Sequence, residues 1–197
     1  WRGYGVAARP GNRHQLLLDH ALKVVCSGNQ EHYEYLIRWL AYAVQNPHLP
    51  GEVAVVMRGG QGTGKSRFAE WVGKLFGRHS LHISNPSHLV GNFNSHLRDC
   101  AFLFADEAFY AGDKKHESIL KTLITERSVM IEAKGVDAEQ QSNCIHLMLA
   151  SNNNWVVPAG MDERRYFVLD VGDTHKGNHK YFAELMKAMN DGGAENL

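Results

Sequence analysis

The sequence predicts an α/β protein with a five-stranded, mostly parallel β-sheet flanked by helices, and a small helical subdomain at its N-terminus. From residue 52 onward, short apolar runs alternate with segments of helical periodicity. The apolar runs are nearly continuous, which is typical of strands that helices cover on both faces. A glycine-rich loop, residues 59–66, joins the first run to an amphipathic helix.

The first 50 residues are predicted to form a linker and then the helical subdomain. Helices are expected at His14–Val25 and Gln30–Gln45. The second helix has Asn29 as its N-cap, and the carboxylate of Glu31 falls in the positively polarised first turn. It carries an apolar stripe at helical spacing: Leu36, Ile37, Leu40, Ala41 and Val44.

Residues 51–172 are predicted to form the core, and residues 173–197 a C-terminal helical segment. Core helices are expected at Lys65–Phe76 and Lys114–Thr125, and a last helix at about His179–Met189. Five strands are expected at Val53–Met57, Ser80–Ile83, Cys100–Ala105, Ile145–Ala150 and Tyr166–Val171.

Composition limits the function classes. The 197-residue chain has a formal net charge of zero, so any nucleic-acid contact must come from local basic residues or from a ring of subunits. The three cysteines are far apart, which favours a reducing compartment over a disulfide scaffold. No apolar run approaches the ~20 residues that span a bilayer, so we expect no membrane partner and a cytoplasmic protein. Both ends resemble cuts, so we expect a truncated fragment.

The glycine-rich loop fits the pattern G-x-x-x-x-G-K-[ST] and reads Gly59-Gly60-Gln61-Gly62-Thr63-Gly64-Lys65-Ser66. Its glycines let successive backbone N–H groups point at phosphate oxygens, and the following helix offers its positive end. Lys65 is expected to reach the β- and γ-phosphates, and the Ser66 hydroxyl to coordinate Mg²⁺. The loop therefore predicts Mg-ATP binding.

Two carboxylates, Asp106 and Glu107, follow the third predicted strand. The carboxyl edge of a parallel sheet is where ligands bind in open α/β folds. Asp106 is expected to hold Mg²⁺, directly or through water, and Glu107 to act as the general base for the attacking water.

Polar residues also mark the last two predicted strands. Asn152, in an asparagine-rich sequence after the fourth strand, can hydrogen-bond the γ-phosphate or the attacking water, although asparagines also favour ordinary turns. Arg164 and Arg165 precede the fifth strand. Such arginines are usually surface charges, but an arginine can also stabilise the phosphate charge in a neighbouring subunit's site.

In this order, the four elements resemble the superfamily 3 helicases of viruses and phages, a branch of the AAA+ ATPases. The resemblance is strongest to helicase domains fused to primase-polymerases. Residues 59–66 correspond to that family's Walker A motif and Asp106-Glu107 to its Walker B motif. Asn152 corresponds to the sensor asparagine of motif C, and Arg165 to the arginine finger, with Arg164 as a second candidate.

The family also carries a β-hairpin between Walker B and motif C whose basic tip contacts single-stranded DNA. Residues 128–143 have the corresponding position, and Lys134 fits the tip. Gly135 stands where many relatives have a second basic residue, and the segment is otherwise acidic and polar. The resemblance implies that Lys134 binds nucleic acid.

The resemblance further implies a P-loop AAA+ core that uses ATP and Mg²⁺, with single-stranded DNA as a partner. It implies a homo-oligomer, a hexameric ring in which the N-terminal helices form the collar. A primase-polymerase domain is expected ahead of Trp1 in the full-length chain, and the host cell cytoplasm as its location.

The sequence is also compatible with two other functions. An AAA+ loader or remodeller shares Walker A, Walker B and the arginine finger but does not need Lys134. A nucleotide-gated assembly module switches without turnover and does not need Glu107 or Arg165.

Overall fold

The computed structural model describes residues 1–108, 114–152 and 164–197. Their strands fall into a five-stranded sheet and a separate hairpin. The strands are β1 (Ala54–Arg58), β2 (Ser80–Ile83), β3 (Phe102–Asp106), β4 (Ser128–Ile131), β5 (Glu139–Ser142), β6 (His146–Ser151) and β7 (Tyr166–Asp170).

The five-stranded sheet has the order β2–β3–β6–β1–β7, and all of its pairings are parallel. The predicted α/β fold with its five-stranded sheet is therefore confirmed. The helices are α1 (Gln15–His20), α2 (Gln30–Gln45), α3 (Lys65–Phe76), α4 (Pro86–Val90), α5 (Lys114–Thr125), α6 (His179–Ala188) and α7 (Ala194–Asn196).

One of the two predicted terminal helices differs from its prediction in detail. The predicted helix His14–Val25 begins as α1 and ends in a π-helical turn, Ala21–Val25, in which the Cys26 N–H donates to the Ala21 carbonyl at 2.8 Å. The last helix, expected at about His179–Met189, is confirmed as α6, which ends at Ala188. A kinked segment, in which Gly192 adopts φ +102°, follows it and leads into α7.

The side chains of each strand alternate between the two faces of the sheet. In β1, Val55 and Met57 pack on the face covered by α2 and α3, whereas Ala54 and Val56 pack on the face covered by α4 and α5. The fold therefore has three layers, with helices on both sides of the sheet.

The two N-terminal helices share a core with the sheet. Val24 and Leu36 are fully buried in the same cluster as Met57 of β1. The indole N–H of Trp39 donates to the Val53 carbonyl at 2.8 Å, just before β1. These helices are thus part of a layer that covers the sheet. Their assignment as a separate oligomerisation subdomain stays a prediction.

Strands β4 and β5 form an antiparallel hairpin in the segment where the sequence predicted one. Asn94 holds its first strand: the side-chain amide donates to the Met130 carbonyl at 2.8 Å and its oxygen accepts from the Glu132 N–H at 2.8 Å. At the base, the buried Asn143 donates to the Leu123 carbonyl at the end of α5, at 2.9 Å. Among the described helices, none is long and apolar enough to cross a membrane.

Candidate functional site

The glycine-rich loop connects β1 to α3 at the carboxyl edge of the sheet. Strand β1 ends at Arg58, and α3 begins at Lys65. Gly62 and Gly64 adopt φ values of +79° and +100°, which residues with a side chain rarely adopt. The Thr63 hydroxyl donates to the Gly60 carbonyl at 3.0 Å and closes the loop on itself.

Lys65 is the centre of this site. Its ammonium donates to the carbonyls of Gly59 at 2.7 Å and Gly60 at 2.8 Å, and to the Asn152 side-chain oxygen at 3.0 Å. An ammonium has three donors, so all of them are used within the chain. Burial lowers the pKa of Lys65, while the carboxylates of Glu107 and Asp106 oppose that shift.

Ser66 and Asp106 meet at the end of β3. The Ser66 hydroxyl donates to Asp106 Oδ2 at 2.7 Å. Neighbouring oxygen ligands of an octahedral Mg²⁺, each about 2.1 Å from the metal, lie about 3 Å apart. A carboxylate and a hydroxyl at this separation therefore fit two adjacent ligand positions on one Mg²⁺. His82 of β2 lies beside them, with Nε2 3.8 Å from Asp106 Oδ2.

Glu107 stands directly after β3 in a left-handed backbone conformation, with φ +54°. This conformation is uncommon for a residue with a side chain and often occurs at functional sites. Its N–H donates to the Ala150 carbonyl at 2.9 Å. Its carboxylate accepts hydrogen bonds from the Asn152 N–H and from the Ser151 hydroxyl. Glu107 is thereby held against the end of β6.

The structure brings together five of the predicted residues from three strand ends, namely Lys65, Ser66, Asp106, Glu107 and Asn152. It does not bring the two arginines to them. Arg164 and Arg165 precede β7, and the Arg165 carbonyl accepts from the Ala54 N–H at the start of β1. The arginines therefore lie at the opposite edge of the sheet from the loop.

Lys134 is also apart from the loop. It is exposed in the turn that joins β4 to β5, next to Gly135 with φ +76°. Other residues of the predicted motifs, Asn153, Asn154, Asp162 and Glu163, lie outside the described residues.

Sequence reasoning missed the residues that pack on Gly64. A Cβ at Gly64 would lie 2.8 Å from atoms of both the His20 and the Phe182 ring. His20 is fully buried, and its Nδ1 is 2.9 Å from the Tyr181 hydroxyl. These residues are far from the loop in sequence and share no spacing with it. No local signal in the sequence identifies them.

An ion pair joins the ends of β1 and β7. The Arg58 guanidinium donates to both carboxylate oxygens of Asp170, with Nη2 to Oδ2 at 3.0 Å. This hydrogen bonding is the main cause that lowers the pKa of Asp170. Because Arg58 directly precedes Gly59, the pair fixes the start of the loop relative to β7.

The buried His20 is expected to make the free energy of unfolding depend on pH. Burial lowers its pKa from 6.5 to about 4, with a smaller effect from His175. Between about pH 6.5 and 4, the unfolded chain therefore binds a proton that the folded chain does not, and the free energy of unfolding falls as the pH falls. At pH 5 the loss from His20 is about 2 kcal/mol relative to pH 8.

We expect His20→Gln to reduce the difference in unfolding free energy between pH 8 and pH 5 by about this amount, as measured by urea denaturation. Burial also lowers the pKa of His146, so part of the pH dependence should persist. A variant that loses as much stability on acidification as the parent would contradict the assignment.

The chain is similar to known proteins in both sequence and fold. The chain is 27% identical over 143 residues to the DNA primase-polymerase of Nitratiruptor phage NrS-1; the match covers 71% of this chain and 20% of the phage protein. An apo structure of the NrS-1 C-terminal region (305–718) has a TM-score of 0.76 at 21% identity and is matched over 97% of this chain and 47% of that one.

A second structure of that region, the A form apo structure, has a TM-score of 0.76 at 21% identity, with 97% of this chain and 46% of that chain covered. At this identity the likeness shows the fold. The chain spans about a fifth of the curated relative and about half of the solved region. A family model described as a family of unknown function matches residues 57–165, more than half of the chain. The chain therefore belongs to the DUF5906 family.

Proposed function

We propose that this chain is the ATPase domain of a superfamily 3 replicative DNA helicase, which couples Mg-ATP hydrolysis to movement along single-stranded DNA. One observation carries the proposal: a lysine, a hydroxyl, two carboxylates and an amide from separate strand ends meet around a glycine-rich loop. The similarity to a phage DNA primase-polymerase supports a role in phage replication.

In this proposal the loop binds the triphosphate. Its backbone N–H groups and the N-terminus of α3 face the phosphates, and Lys65 neutralises them. Ser66 and Asp106 would hold Mg²⁺, which would supply positive charge to offset that of the phosphates. The short contact between their oxygens supports this pairing, because both groups already point at one place.

The hydrogen bonds of Lys65 suggest how nucleotide binding changes the surroundings of Glu107, the proposed catalytic base. A phosphate oxygen needs one of its three donors, and the bond to Asn152 is the one that can be released without opening the loop. The backbone N–H of Asn152 in turn holds Glu107. Phosphate binding would therefore free the Asn152 side-chain amide for the γ-phosphate, while the backbone N–H of Asn152 still holds Glu107 beside it.

The position of the arginines supports assembly into a ring. A strand of five residues spans about 16 Å, so Arg164 and Arg165, before β7, are too far from the loop after β1 to complete its site. An arginine finger at this edge acts on the loop of a neighbouring subunit. We infer a hexameric homo-oligomer whose hairpins line a central channel, where several copies of Lys134 contact the phosphates of one DNA strand.

The proposal extends to the full-length protein. A primase-polymerase domain in the same polypeptide would synthesise DNA on the strand that this domain exposes, in the host cytoplasm. The similarity to the NrS-1 protein, of which this chain spans about a fifth, supports this arrangement.

Lys65→Ala should weaken Mg-ATP binding by roughly 100-fold, since charge-assisted contacts with phosphate contribute about 1.5–3 kcal/mol each. Titration calorimetry measures the affinity. Lys74→Ala is the matched control, because Lys74 is an exposed lysine on the same helix. Unfolding temperatures without nucleotide verify that the variant is folded. If Lys65→Ala and the parent bind Mg-ATP with equal affinity, Lys65 does not bind the phosphates.

Glu107→Gln should bind Mg-ATP like the parent but hydrolyse it about 10²- to 10⁴-fold more slowly, the usual contribution of a general base. Glutamine can still accept the Asn152 N–H bond, so the site should keep its shape. Phosphate release measures turnover, with the exposed Glu126→Gln as the control. Turnover at the parental rate would exclude Glu107 as the base. A parent that binds ATP without hydrolysing it would favour the nucleotide-gated assembly module.

Lys134→Ala should weaken single-stranded DNA binding and leave basal ATPase activity intact, because Lys134 lies in the hairpin turn away from the loop. Each lost phosphate contact should reduce the log–log slope of affinity against salt by roughly one. Anisotropy with labelled oligo(dT) measures both, with Lys180→Ala as the control. If the variant binds and unwinds DNA like the parent, the hairpin is not the DNA contact. That result would favour an AAA+ loader or remodeller over a helicase.

A further inference from the structure

The segment that follows β7, residues 171–182, runs along the glycine-rich loop. A Cβ at Gly59 would lie 2.8 Å from the Val171 carbonyl oxygen. At the other end of the loop, Phe182 packs on Gly64. The loop is therefore in contact with this segment at both of its ends.

Lys176 is the basic residue of this segment that reaches the loop. Its Nζ lies 3.4 Å from the position that a Cβ would take at Gly60. A turn places it there, since the Lys176 N–H donates to the Asp173 carbonyl at 2.8 Å. The following residues begin α6, whose first turn is capped by the Asn178 side chain accepting from the Tyr181 N–H at 3.0 Å.

Two ammonium groups thus lie close to Gly60 of the loop. The Gly60 carbonyl accepts from Lys65 at 2.8 Å, and Lys176 Nζ lies 3.4 Å from the position of a Cβ on Gly60. Among the described residues, no carboxylate forms an ion pair with Lys176. The pKa of Lys65, lowered mainly by burial, is lowered further by the charge of Lys176. The carboxylates of Glu107 and Asp106 act on Lys65 more strongly than Lys176 does. A phosphate bound beside Gly60 would reduce the remaining repulsion between the two ammonium groups.

We propose that Lys176 is a second phosphate-binding cation, which contacts the polyphosphate of the nucleotide held by residues 59–66 of the same chain. This inference rests on the proposed nucleotide site and adds a residue to it. Lys176 is exposed and has a long, flexible side chain, so it can close over a bound phosphate while Lys65 holds the same anion from beneath. Because Lys176 lies three residues before the start of α6, its contact would also connect the position of that helix to nucleotide binding.

The test compares Mg-ATP binding by the full chain in four forms: parent, Lys176→Ala, Lys176→Arg and Lys187→Ala. Lys187 is an exposed lysine in the last turn of α6, so its removal makes the same change in net charge at a distance from the loop. Calorimetry gives the affinity, and thermal unfolding with and without Mg-ATP gives the shift that the ligand produces.

We expect Lys176→Ala to weaken Mg-ATP binding roughly tenfold and to reduce the ligand-induced thermal shift, with an unchanged unfolding temperature in the absence of nucleotide. Lys176→Arg and Lys187→Ala should bind within about twofold of the parent. An affinity of Lys176→Ala equal to that of the parent, or an equal loss of affinity in Lys187→Ala, would overturn the phosphate-binding role of Lys176. Neither result would contradict the proposed nucleotide site. A parent that does not bind Mg-ATP would instead overturn the proposed function, and this inference with it.

Discussion

The three hydrogen bonds of the Lys65 ammonium hold the site together. They join the start of the glycine-rich loop, through the carbonyls of Gly59 and Gly60, to the end of β6, through Asn152. Lys65 is only 5% exposed, and a buried ammonium is stable only when its donors are satisfied and carboxylates are near. The curled loop, the position of Asn152 and the two carboxylates after β3 therefore depend on one another. An anion that enters the loop must replace part of this network.

Much of the fold could be predicted from the sequence, because buried parallel strands are apolar almost throughout. The predicted strand ends were still about one residue short: β1, β3 and β6 each continue to a polar residue, Arg58, Asp106 and Ser151. The backbone ladder explains this, since Arg58 pairs with Ser151 and Asp106 with Ala150. Backbone pairing does not depend on whether the side chain is apolar. A prediction from hydrophobic patterning uses side chains only, so it ends a strand at the last apolar residue.

The parts of the candidate site that are contiguous in the sequence could be predicted. Residues 59–66 and the pair Asp106-Glu107 are contiguous motifs, and the parallel topology places the ends of their strands at one edge. The residues around the loop that come from distant segments were not predictable. His20, Lys176 and Phe182 reach it only because the helices at both termini cover the same face of the sheet. The shared core of the N-terminal helices and the sheet could not be predicted for the same reason, because an apolar stripe does not identify the surface that it covers.

The two ends of the strands carry the two groups of residues that the proposed function joins in one reaction centre. The loop, the carboxylates and Asn152 lie at the carboxyl ends of the strands, and Arg164 and Arg165 lie before the amino end of β7. If both halves act in the same chemistry, each chain must present its arginine edge to the loop edge of the next chain. Such a head-to-tail contact is heterologous and closes into a ring when its rotation allows. The ATPase chemistry and the ring are then linked by the parallel topology itself, because the direction of β7 keeps its preceding arginines away from the loop of their own chain.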